Sequence, residues 1–151
     1  MHRIALSFAL LLAAFAASAP ADARERTLRV DRNELINTGG WTLTTTTAPG
    51  AAPVAAEVPF RLTFELDSVA VEDGCPTLRG DYAVAGKRMT FTVEAAVGQD
   101  CADDAAQAGA AFLATLNHRF EAELVEPYPY RLRLTGEDGT VLEFQAQPMR
   151  F

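Results

Sequence analysis

Residues 60–101 read FRLTFELDSVAVEDGCPTLRGDYAVAGKRMTFTVEAAVGQDC. Phe60, Leu62, Phe64 and Leu66 take every second position against Arg61, Thr63, Glu65 and Asp67, which is the period of a strand with one buried face. Ser68 follows Asp67 and reads as a turn residue at the strand end. The pattern breaks at Gly74-Cys75 and resumes through Gly80-Asp81-Tyr82. Residues 78–84 and 87–94 then read as two strands joined by a tight turn at Ala85-Gly86, with Met89, Phe91 and Val93 inward against Arg88, Thr90 and Thr92.

The flanks extend the same reading. Gly39-Gly40 opens a strand with Trp41 and Leu43 on one face and Thr42 and Thr44 on the other, so Trp41 belongs to the core. Residues 48–59 hold Pro49, Pro53 and Pro59 among alanines, a composition that reads as a surface loop. Asp103-Asp104 precedes Ala105, Gly109, Phe112, Leu113 and Leu116, whose three- and four-residue spacing predicts one amphipathic helix with acids at its start. Period two returns with Phe120, Ala122 and Leu124, then Tyr130, Leu132 and Leu134, then Leu142 and Phe144 beyond a turn at residues 136–139. The expectation is an α+β domain: a curved, barrel-like antiparallel sheet of about seven to eight strands, closed or plugged by the helix. Phe60, Phe64, Phe91, Phe112 and Phe144 are the side chains expected to fill it.

Arg3 precedes an apolar run over residues 4–17, too short to span a bilayer but suited to a signal peptide. Cleavage is expected before Arg24, after Ala21-Asp22-Ala23. Residues 1–23 are then a signal peptide, 24–34 a flexible or weakly ordered mature N-terminus that is at most a weak edge strand, and 35–151 one domain. With no cysteine beside the cleavage site and no later apolar stretch, no membrane anchor is expected, and the mature chain is read as a periplasmic or secreted monomer. The formal net charge of -7, with Lys87 the sole lysine, argues against nucleic acid as a partner. Cys75 and Cys101 both enter an oxidising compartment, where an even count predicts a disulfide rather than a closely spaced redox pair.

These residues resemble the META domain, or HslJ-like, family. The resemblance rests on Trp41-Thr42-Leu43, residues 60–64, Gly74-Cys75, Gly80-Asp81-Tyr82, Met89-Thr90-Phe91, Cys101, residues 112–116, Leu132-Arg133-Leu134 and Leu142-Glu143-Phe144. It implies a bacterial envelope protein linked with stress tolerance, with no catalytic residues or cofactor to carry over. The family's usual asparagine after the first cysteine is Pro76 here, and its usual threonine and methionine before the second are replaced around residues 97–100. Roles resting on those side chains do not transfer.

Chemistry-bearing residues are sparse. Beyond residue 23 the chain has one serine, Ser68, and one histidine, His118, neither in a nucleophile motif. Asp100, Asp103 and Asp104 lack calcium-loop spacing and read as helix-start acids. Tyr128, Tyr130, Arg131 and Arg133 form the most suggestive partner surface, weighed against an exposed strand face whose arginines offset nearby acids. The sequence thus points to a non-enzymatic, stress-associated envelope protein without cofactor or metal, binding an unknown protein or a small apolar ligand. Two rivals stand beside it: a protease inhibitor presenting loop 48–59, and a carboxylate-based hydrolase of envelope glycans.

Overall fold

The structure, a computed structural model, describes residues 24–151; the expected signal peptide and its cleavage site lie outside the described residues. Ten strands and two helices follow in order: β1 (Arg26–Arg29), α1 (Arg32–Ile36), β2 (Trp41–Thr47), β3 (Val54–Ala55), β4 (Arg61–Phe64), β5 (Ser68–Glu72), β6 (Leu78–Ala85), β7 (Arg88–Ala95), α2 (Asp103–Leu116), β8 (Arg119–Glu126), β9 (Arg131–Gly136) and β10 (Val141–Ala146). The sheet runs β8-β7-β6-β5-β4-β2-β10-β9, and β9 pairs back onto β8. Eight antiparallel strands therefore close a barrel, which leaves no open edge along that path.

Alternation builds the wall. Leu62, Phe64, Val69, Val71, Leu78, Tyr82, Met89, Phe91, Val93, Leu132, Leu134, Leu142 and Phe144 all point inward and are buried. An eight-stranded barrel has an interior about wide enough for its own side chains. Here Phe64 packs edge-on to Tyr82 at 4.8 Å and Phe91 edge-on to Phe120 at 6.1 Å, filling the middle. The five phenylalanines expected inside are all buried.

The seam between β7 and β8 is short, with Arg88, Met89 and Thr90 opposite Glu121, Phe120 and Arg119. Beyond it β1 takes over the same edge of β8, from Arg26 opposite Glu126 to Arg29 opposite Glu123. The segment 24–34 thus carries an edge strand, exposed at all four residues, and then the start of a short helix. That helix, α1, has no counterpart in the single-helix expectation. It is capped by Asp31, whose carboxylate accepts from the Asn33 N–H at 2.7 Å, and it inserts Leu35 into one end of the barrel.

Trp41 seals that end. It is 1% exposed, and its indole N–H donates to the Leu35 carbonyl at 3.0 Å. Two details of the sequence reading change here. The strand ends at Phe64, so Leu66 lies in the turn at 69% exposure. Ser68 then opens a separate strand, β5, while its hydroxyl still ties the turn by donating to Glu65 at 3.1 Å.

Trp41→Ala removes the largest buried side chain together with its hydrogen bond. It should cost about 3–5 kcal/mol in urea unfolding, as deletion of a buried aromatic usually does; a midpoint within error of the parent would remove Trp41 from the core.

Candidate functional site

The opposite end of the barrel is built differently, from the 48–59 loop, the 73–77 loop, α2 and the β9–β10 turn. Its anchor is Phe60, which has Phe112 of α2 stacked flat upon it, centroids 4.2 Å apart and planes 8° from parallel. Gly74 abuts the same ring: a Cβ at that position would stand 2.2 Å from Phe60 Cε1. Gly109 does the equivalent for the helix, since a Cβ there would lie 2.6 Å from the Cys75 carbonyl oxygen. Cys75 and Cys101 are joined, their Cα atoms 5.7 Å apart, so the disulfide ties the β5–β6 loop to the start of α2 as expected. Asn117 ends the helix by donating its side-chain amide to Val93 O at 3.0 Å and accepting from Val93 N at 2.9 Å.

The loop 48–59 does not lie flat on this cap. β2 shares one edge between β4, at Trp41 and Thr42, and β3, at Thr45 and Thr46. β5 pairs only with β4 and β6. Beyond β5, therefore, the wall beside β3 faces α2 across a gap. That gap is a groove of about 590 Å³, floored by Leu43, Val58, Phe60, Phe112 and Leu142 and walled by Val54 on one side and Ala111 on the other. Thr115 and Thr140 border it and also line a smaller cleft of about 170 Å³ that leads to His118 and Asp138. Asp138 accepts from the Thr140 N–H and hydroxyl, both at 2.9 Å. The Thr140 N–H, then its hydroxyl and more weakly the charge of His118, hold the Asp138 carboxyl below its ordinary value, so it stays ionised at neutral pH.

The four residues singled out as a partner surface come together at the Trp41 end. Tyr128 and Tyr130 meet edge to face at 6.1 Å, Tyr128 being 70% exposed. Arg131 and Arg133 share the outer face of β9 but are answered from within the chain. Arg133 Nε donates to Glu143 at 2.7 Å, Arg131 to Glu143 at 3.2 Å, and both reach Glu25. The Arg131 hydrogen bond and charge hold the Glu25 carboxyl below its ordinary value. Burial alone would lower Arg133, but the hydrogen bond and charge of Glu143, helped by Glu25, push it up instead. An acidic partner would have to displace these two carboxylates, so the arginines are less free than their spacing suggested.

The remaining candidates are scattered. Ser68 stands at the Trp41 end and His118 at the α2 end, so no hydroxyl–imidazole pair forms between them. Asp103 and Asp104 occupy the first turn of α2, and among the described residues no three His, Cys, Asp or Glu side chains converge on a metal position. The groove escaped the sequence reading because its two walls lie about half the domain apart in the chain. The available signal was the unusual loop: apolar and small, where a solvated surface loop would be polar.

Fold and site together define an antiparallel eight-stranded barrel whose two ends are covered by helices, one sealed and one grooved. The model of the META domain family matches residues 33–149, and the chain belongs to that family. Among solved structures, an NMR structure of a protein from Burkholderia xenovorans is similar, with a TM-score of 0.62 at 21% identity, covering 78% of this chain and 87% of that one. At that identity the likeness is one of fold. No curated protein matches the chain.

Proposed function

We propose that this META-domain chain works after export as a non-enzymatic, envelope-stress-associated protein that binds a small apolar ligand in the groove between α2 and the 48–59 loop. The groove itself carries the reading. Its volume of about 590 Å³ lies within the range of small-molecule sites, and its floor is aliphatic and aromatic. Ligand sites of this kind combine an apolar lining with a few polar groups, here the Thr115 and Thr140 side chains.

A small ligand is favoured over a protein that docks by adding a strand. The free edge beside the groove is only Val54–Ala55, and Pro53, which has no N–H to donate, stands directly before it. Export is supported by the apolar run at residues 4–17, and the stress role by the family resemblance.

Ala111 is exposed on the groove wall, so Ala111→Trp should fill the space while leaving the barrel's stability nearly unchanged. Binding of the neutral apolar dye Nile red should weaken by about tenfold, or ~1.4 kcal/mol of lost contact; undiminished binding in a folded variant would refute the groove as the site. Mass spectrometry of the exported protein should find a chain beginning at Arg24, and a product that keeps Met1 would refute the export reading.

A further inference from the structure

The charges around the groove are one-sided. Among its lining residues there is no lysine, arginine or histidine, and the one charged side chain is Glu57, on the 48–59 loop. Among the described residues no side chain pairs with Glu57 by hydrogen bond or ion pair, whereas Glu72, Glu126 and Glu143 are each held by an arginine. Past Thr115 and Thr140 the adjoining cleft presents Asp138, with His118 as the other titratable group there. Helix α2 adds to the bias. Its C-terminal half forms the wall and its last turn carries no basic residue, so the nearest group able to offset the negative end of the helix dipole is His118, one residue past the Asn117 cap and outside the groove lining.

Resting on the groove reading above, we infer that the groove selects amphiphiles with a positively charged head, an ammonium or guanidinium, over neutral or anionic ones. The apolar tail lies along Leu43, Val58 and Phe112, and the head stands at the rim beside Glu57. An anionic head on the same tail would meet Glu57 at one rim and the carbonyl end of α2 near the other, with no cation in the groove lining to receive it; the imidazole of His118 lies outside that lining, in the adjoining cleft beside Asp138. A neutral head avoids that repulsion but gains nothing from it.

The test uses the mature chain and three amphiphiles of equal tail, kept below their micelle concentrations: dodecyltrimethylammonium, dodecyl maltoside and dodecyl sulfate. Affinities come from calorimetry, and amide NMR shifts locate the contact on Val58, Ala111 and Phe112. The cation should bind about fivefold tighter than the neutral amphiphile, the scale expected of an exposed ion pair, and the anion more weakly than both. Glu57→Gln should remove most of that preference, bringing the affinity for the cation to within about twofold of that for the maltoside in the same variant. Glu94→Gln, an exposed acid on β7 away from the groove, serves as the control for overall charge. Equal affinity for all three heads, a preference for sulfate, or a loss as large in Glu94→Gln as in Glu57→Gln would overturn the charge selection while leaving the groove intact. Failure of all three to shift the groove amides would instead sink the groove reading itself.

Discussion

Phe112 lying flat on Phe60 is the contact on which the grooved end of the barrel depends. Phe60 sits at the junction where β3 has ended and β4 has not begun, so its position sets where the broken strand turns inward. Its ring accepts Phe112 because Gly74 leaves room beside it, and α2 can approach because Gly109 leaves room for the Cys75 carbonyl. An aromatic pair contributes about 0.5–1.5 kcal/mol beyond the area it buries. The disulfide adds stability by another route, restricting the unfolded chain by roughly 3–4 kcal/mol for a loop of this length. The stack fixes the middle of the helix, Leu116 and the Asn117–Val93 hydrogen bonds fix its end, and the covalent tie holds its start.

The two ends of the barrel show what this arrangement leaves behind. At the Trp41 end, a five-residue helix drops Leu35 into the opening, the indole donates to its backbone, and Arg32 ties the cap to Asp67 at 3.0 Å. Space is used up there. At the other end a fourteen-residue helix crosses the opening with Phe112 and Leu116 buried beneath it, while the small residues Ala108 and Ala111 line the groove facing the loop. Small side chains on a wall leave volume unfilled, and the groove is that volume. The groove thus follows from incomplete packing at one end of a well-packed barrel.

Much of the fold was legible because the barrel is antiparallel and half-buried, so each wall strand declares its inner face by alternation. Trp41, Leu43, Met89, Phe91 and Val93 were placed correctly on that ground, and α2 by its three- and four-residue spacing. β5 was harder to see because Asp67-Ser68 carries turn chemistry, which masked the alternation of Val69 and Val71 just beyond it. α1 is too short to show a helical period. The Arg131 and Arg133 surface was found, but its partner Glu25 lies 106 residues from Arg131, a separation at which local pattern says nothing. The need for glycine at 109 depends on a carbonyl from a distant loop, so it too was invisible in the chain.

α2 is a separately docked cap, seated on Phe60 and against the Cys75 loop, and the groove lies between it and the 48–59 loop. Hydrogen exchange of Gly109→Ala tests this docking most directly, because the added methyl must displace a backbone carbonyl 2.6 Å away that has no soft way to yield. The account predicts faster amide exchange through residues 105–116 while β2, β6 and β8 keep their protection. Unchanged exchange in the helix, or equal loss of protection in helix and barrel, would contradict it.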